Sequence, residues 1–162
     1  MRPESTWCPS PNFKASTKAR GISVIVIHAT ATSGIESPKN WLCDPKSKVS
    51  AHYIIGRAGE LLHLVQDSNV AYHAGESSWR GREHVNSFSI GIELVNSNDG
   101  IMEYPEPQLA VCAALTAALC KEHGVKLGDV VGHKDIAPGR KTDPAGFDWV
   151  GFRDRLLDLG VS

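Results

Sequence analysis

The run Ile22-Ser23-Val24-Ile25-Val26-Ile27, closing on His28, constrains the fold more than any other stretch of the chain. β-Branched side chains crowd a helix and fit an extended backbone. The run is too short for an ordinary helix and too continuously apolar for a strand with one wet face, so it reads as a buried central strand. It stops at His28, where the chain turns out of the sheet.

The other elements follow from periodicity and punctuation. Ser37-Pro38 reads as an N-cap with proline at the first helical position, opening a short helix through Trp41 and Leu42. Ser50–Ile55 and Leu61–Val65 flank Gly56-Arg57-Ala58-Gly59 as a β-hairpin. Residues 72–87 lack an apolar period and form a long loop of the kind usually kept for function. Phe88–Val95 alternates as a strand, with Gly91 where a side chain would crowd a neighbour. From Pro107 to His123 the residues Leu109, Cys112, Thr116 and Leu119 mark a core-facing helix that Gly124 ends. Asp148 caps a last helix striped by Trp149, Phe152, Leu156 and Leu159 and closed by Gly160. Strands interleaved with helices, one pair antiparallel, predict an α/β mixed (α+β) single domain: a central mixed β-sheet with helices packed on it and a site at the sheet end.

With 162 residues, 41% of them hydrophobic, there is room for one core and not two. Seventeen Lys+Arg against eighteen Asp+Glu leave a net charge of −1, which excludes nucleic acid or an anionic membrane as partners held by whole-molecule charge. No apolar run approaches the roughly 20 residues of a bilayer span. Residues 1–20 have no apolar segment of the signal-peptide type and read as a loosely held arm ahead of a domain at 21–160. Cytoplasmic synthesis and a monomer are the expectations. Cys112 and Cys120 would lie about 12 Å apart along their helix, too far to bridge, and all four cysteines are expected as thiols.

Chemistry concentrates in Gly132-His133-Lys134-Asp135-Ile136-Ala137-Pro138-Gly139-Arg140-Lys141-Thr142-Asp143-Pro144, where a Pro-Gly turn can fold Asp143 back beside His133. Catalytic zinc takes three ligands from His, Asp, Glu or Cys and keeps a fourth position open. His28, His133 and Asp143 meet that count; a solvated surface loop is the competing reading of the spacing. Glu93 alternates with Ile92 and Leu94, so it faces away from them, toward solvent or toward a site.

His28 after VIVI, Ser50-Ala51-His52-Tyr53, Tyr72-His73-Ala74-Gly75, Asn86-Ser87-Phe88-Ser89-Ile90-Gly91-Ile92-Glu93 and the GHKDIAPGRKTDP segment together resemble the N-acetylmuramoyl-L-alanine amidase type 2 family over residues 22–157. That family holds bacterial recycling amidases, phage lysozymes and animal peptidoglycan recognition proteins. The resemblance implies one Zn2+ on His28, His133 and Asp143, and hydrolysis of the amide between N-acetylmuramic acid and L-alanine in peptidoglycan or muropeptides. It implies that Glu93 handles the proton of the attacking water and that Lys141 stabilises the oxyanion, with Tyr53 as a further catalytic candidate that could equally be core. It also assigns His73, Arg82 and Asn86 to substrate binding, Arg82 to a stem-peptide carboxylate.

His52, His63, His84 and His123 are read as structural or exposed, and Trp79 as packing ahead of stacking. Arg80, Arg82, Lys134, Arg140 and Lys141 are expected to border the zinc and favour a diaminopimelate stem, with a lean toward polymeric wall, as in an endolysin, over soluble muropeptides. A non-catalytic peptidoglycan-binding module is the alternative from another class. A zinc peptidase of other specificity lacks its HExxH helix here.

Overall fold

The computed structural model describes residues 1–162. In chain order the elements are β1 (Thr6–Trp7), β2 (Phe13–Lys14), β3 (Val24–Ala29), α1 (Glu36–Cys43), β4 (Tyr53–Ile55), β5 (Leu61–His63), β6 (Val70–Ala71), β7 (Ser78–Trp79), β8 (Arg82–Glu83), β9 (Ser89–Leu94), α2 (Glu106–His123), β10 (Val130–Gly132), α3 (His133–Ile136) and α4 (Trp149–Asp158). Six strands form one mixed sheet in the order β1-β5-β4-β9-β3-β10. Only β4 and β5 pair antiparallel within it; β4, β9, β3 and β10 run parallel.

The buried run is β3, next to the edge strand β10, and its two faces do different work. Ile25 and Ile27 join Ile90, Ile92 and Leu94 in a core closed by α2 (Cys112, Leu115, Leu119) and α4 (Phe152, Leu156). Val24 and Val26 face the other way, into a smaller cluster with Ala74, Val85, Phe88 and Ile136. A third cluster, around Leu42, Ile54 and Val95, seats α1. Helices α2 and α4 therefore hold one face, which leaves the opposite face to α1 and the long loop.

Several local expectations hold. Gly124 takes φ 72° as the left-handed cap of α2, and Asp148 accepts from Gly151 N to start α4. Others shift. Helix α1 starts at Glu36, so Pro38 falls inside its first turn, where a missing N–H costs nothing. Leu159 is exposed and Val161 is buried in its place, because the chain turns at Gly160. The 72–87 loop contains the β7–β8 hairpin and a 3₁₀ turn at Val85–Phe88. All four cysteines are free thiols.

The largest correction concerns residues 1–20, which are not loosely held. Strand β1 pairs in parallel with β5 and β2 pairs with β6. Asn12 Nδ2 donates to the Asp44 and Val49 carbonyls at 2.8 and 2.9 Å. Arg20 donates to the carbonyls of Asp67 (2.8 Å), Asn69, Asn86 (3.0 Å) and Ser89 (2.7 Å). Two-residue pairings held by such side chains leave no apolar period for a sequence reading to find.

His52, fully buried just ahead of β4, ties β9 to the turn before β6: Gly91 N donates to its Nδ1 at 3.0 Å, and its Nε2 lies 3.1 Å from the Asn69 carbonyl. Burial, with Arg20 adding to it, lowers its pKa to about 3, against about 6.5 in an unfolded chain. Between those values the unfolded state binds the proton and the folded state does not. His52 thus contributes stability that is complete above pH ~6.5 and is lost as pH falls, about 2 kcal/mol of it by pH ~5. Urea unfolding should show a stability that declines from pH ~7 to pH ~5, and His52→Asn should flatten that slope; an unchanged slope would show that His52 titrates normally in the fold.

Candidate functional site

Register places the site. In the parallel ladder β3–β9, His28 lies directly beside Glu93, and in β3–β10 Ile27 lies beside Gly132, so His133 comes level with His28. Glu93, His28 and His133 therefore form a row across the carboxyl ends of three parallel strands, where α/β sheets gather ligands. His28 shares a face with Val24 and Val26, away from α2 and α4. Asp143 is folded back by its own backbone: its carbonyl accepts from Lys134 N at 2.9 Å. Gly132 makes this approach possible, since a Cβ there would lie 2.9 Å from Pro144 Cδ and 3.1 Å from the Trp149 ring.

The three side chains converge. His28 Nδ1 is 3.0 Å from His133 Nδ1 and 3.4 Å from Asp143 Oδ2, and His133 Nδ1 is 3.2 Å from Asp143 Oδ2. All three residues are buried, and they form a group able to hold a metal ion. Tetrahedral zinc with bonds of about 2.0–2.1 Å has ligand–ligand edges of roughly 3.3–3.4 Å, so the triangle fits.

The donor chemistry fits as well. His133 Nε2 lies 3.0 Å from the Ala74 carbonyl, which can only accept; the ring proton is therefore on Nε2, and Nδ1 offers a lone pair. Burial would raise the Asp143 carboxyl, but the neighbouring His133 and His28 rings outweigh it and hold the group below the usual carboxylate range. Burial lowers His28 to about 4, with Asp143 opposing and His133 adding, so His28 resists taking a proton to relieve the crowding. Three acceptors converging in this way favour a cation among them, and two nitrogens with one carboxylate suit zinc.

Glu93 stands beside the group, its Oε1 4.0 Å from His28 Nδ1 and its Oε2 buried without a hydrogen-bond partner. Burial and then the Asp143 charge raise its pKa to about 8, and Lys141 pulls the other way. A cavity of about 570 Å³ opens over these residues, walled by Trp41 and Leu42 of α1, by Tyr72 and His73, and by Arg140 and Lys141. Arg140 is fixed by donating to the Ala74 and Glu76 carbonyls at 2.6 and 2.7 Å, whereas Lys141 is exposed.

The remaining expected site residues divide. His73 reaches the cavity but its ring is committed inward, with Nδ1 2.9 Å from His28 Nε2. Asn86 is spent on backbone: its Oδ1 accepts from His73 N and Ala74 N at 3.0 and 2.8 Å. Tyr53 is a correction. It is 2% exposed in the core on the α2 side, its hydroxyl donates to Asp67 at 2.8 Å and accepts from Arg2 at 2.7 Å, and burial raises its pKa further from neutrality.

Arg82 is a second correction, lying outside the cavity lining with its guanidinium 3.9 Å from the centroid of the Phe88 ring. Arg80 pairs with Asp129 at 2.8 Å, and Lys134 also lies outside the cavity, so only Arg140 and Lys141 of the expected cationic set border the site. Sequence reasoning missed Trp41 and Tyr72 as walls of the cavity; their exposure, 57% and 36%, leaves no periodic signal.

A His-His-Asp group able to hold a metal ion, with a buried carboxyl beside it at the end of a mixed sheet, is an arrangement suited to metal-assisted hydrolysis. A profile for N-acetylmuramoyl-L-alanine amidase matches residues 18–146. The 1,6-anhydro-N-acetylmuramyl-L-alanine amidase AmpD of Citrobacter freundii is 35% identical, covering 93% of this chain and 89% of its own. The N-acetylmuramoyl-L-alanine amidase AmiD of Escherichia coli K12 is 36% identical over 79% of this chain and 51% of its own. A selenomethionine AmpD crystal structure superposes with a TM-score of 0.83 at 33% identity, covering 98% of this chain and 95% of that one. The chain belongs to the N-acetylmuramoyl-L-alanine amidase type 2 family.

Metal analysis by mass spectrometry should find one zinc ion per chain, lost in His133→Ala and kept in Asp143→Cys, because a thiolate is also a zinc ligand. Stoichiometric zinc in His133→Ala would contradict this ligand set.

Proposed function

We propose that this protein hydrolyses the amide between the lactyl group of N-acetylmuramic acid and L-alanine, acting on soluble anhydro-muropeptides with zinc held by His28, His133 and Asp143. The observation that carries the reading is Glu93, a carboxyl held near neutrality with one oxygen unpartnered, in the same cavity as the His-His-Asp group. His28, His133 and Asp143 would hold the zinc ion, which when bound would supply Lewis-acid chemistry at this end of the cavity. Glu93 takes the proton of the attacking water and returns it to the departing L-alanine nitrogen, a task that needs a pKa near the working pH. Lys141, whose charge is felt at Glu93, balances the negative charge developing on the scissile carbonyl oxygen. Arg140, anchored to two backbone carbonyls, adds fixed positive charge to the same rim.

The soluble substrate is favoured by the relatives that span nearly the whole chain, which are named for the 1,6-anhydro compound, and by AmiD, whose structure was solved with anhydro-N-acetylmuramic acid-L-Ala-D-gamma-Glu-L-Lys at a TM-score of 0.76. Of the cationic border expected to favour a diaminopimelate stem, only Arg140 and Lys141 line the cavity. Likeness to the Clostridium intestinale endolysin, at 20% identity, is likeness of fold. A purely binding module would have no use for a buried, unpartnered Glu93 carboxyl.

Glu93→Gln should keep zinc and lose turnover by about 10²–10⁴-fold, and Lys141→Ala by about 10²–10³-fold, assayed by mass spectrometry of the released stem peptide. Tyr53→Phe should leave turnover within about twofold, its hydroxyl being committed to Asp67 and Arg2. Anhydro-muropeptides should be cleaved much faster than intact sacculi; the reverse order would restore the endolysin reading.

A further inference from the structure

We infer that the dipeptide His73-Ala74, clamped by Asn86 and terminated by Ser89, sets which nitrogen each metal-binding histidine presents, so that His73, Ser89 and Asn86 are positioning residues for the metal centre. The inference rests on the metal reading of His28, His133 and Asp143 and not on the choice of substrate.

The proton positions follow from the carbonyls at which two hydrogen-bond chains end. Ser89 Oγ lies 2.7 Å from the Val85 carbonyl, which can only accept, so the Ser89 hydroxyl hydrogen points there. Its oxygen is then left to accept, and His73 Nε2, 3.0 Å away, must be the donor. A neutral His73 protonated on Nε2 has a bare Nδ1, which accepts from His28 Nε2 at 2.9 Å. His28 therefore carries its proton on Nε2 and aims the Nδ1 lone pair at His133 and Asp143. The second chain is one step long: His133 Nε2 donates to the Ala74 carbonyl at 3.0 Å, leaving Nδ1 bare. Two adjacent residues thus fix both imidazoles, one through a ring nitrogen and the next through a carbonyl.

The arrangement is built tightly. Asn86 Oδ1 accepts from the backbone N–H of both His73 and Ala74, which fixes the dipeptide relative to β9. Ser89, Gly91 and Glu93 share one face of β9. Gly91 lies directly under the His73 ring, where a Cβ would come within 2.5 Å. His73 and Ser89 are 8% and 0% exposed, so water does not substitute for either partner. Partners of this kind raise metal affinity by holding the ligand ring in one tautomer and one orientation.

The test uses the full chain without substrate. Long-range ¹H–¹⁵N NMR of the metal-free protein should show His28 and His133 as Nε2–H tautomers. Ser89→Ala, which removes one atom and adds none, frees His73 to reverse its proton and should convert His28 to a mixture of tautomers while His133 keeps Nε2–H. Zinc affinity, measured by competition with a chromophoric chelator, should fall about 10–100-fold at unchanged stoichiometry. Asn86→Ala should lower affinity in the same way, and Asn86→Asp, which keeps the accepting oxygen, should restore most of it. The proposal is overturned if Ser89→Ala keeps a single His28 tautomer, whether or not affinity falls, because an affinity loss without a tautomer change is only structural damage. Wild-type protein that carries Nε2–H on both His28 and His133 and binds zinc yet leaves muropeptides intact would sink the amidase reading and leave this one standing.

Discussion

Three lone pairs brought within 3.4 Å of one another are the constraint on which the rest of the structure depends. Acceptors crowded in this way, away from bulk water, repel unless a cation or a proton lies among them. The fold supplies the force that holds them there. Parallel pairing of β10 with β3 brings the two imidazoles level, the Asp143 carbonyl accepting from Lys134 N folds the carboxylate back beside them, and the helices α2 and α4 bury the opposite face of the same strands. The hydrophobic core thus stabilises a strained cluster of polar atoms on its other side.

Strand β9 shows how few residues this takes. Ile90, Ile92 and Leu94 face the core, and the alternate positions carry the chemistry: Ser89 ends a hydrogen-bond chain, Gly91 makes room for the His73 ring, and Glu93 faces the cavity. A strand with period two can serve a core and a site at once.

The same logic explains what the sequence makes legible. His28 could be placed because it ends a run that can only be a buried strand, and His133 with Asp143 because a Pro-Gly turn lies between them. Glu93 followed from alternation, and the crowding at Gly91 was readable although its cause, His73, was not. The failures share an origin in contacts across long separations. Tyr53 fits a strand either way round, and the face it takes is decided by Asp67 and Arg2, neither near it in sequence. Arg82 was placed by charge, but in the structure it stacks on Phe88. Residues 1–20 carry no periodic signal because side chains such as Asn12 and Arg20, bonded to distant carbonyls, hold them. Hydrogen bonds to main-chain oxygens leave no pattern in a single sequence.

Which bond breaks is the central claim, and isotope labelling reads it directly. Hydrolysis of an anhydro-muramyl tripeptide in H₂¹⁸O should place one ¹⁸O atom in the lactyl carboxylate and none in the released peptide or the sugar ring, as required for attack at the lactyl carbonyl with departure of the L-alanine nitrogen. Label in the peptide would mean a peptidase, and label on the sugar a glycosidase; either would contradict the account.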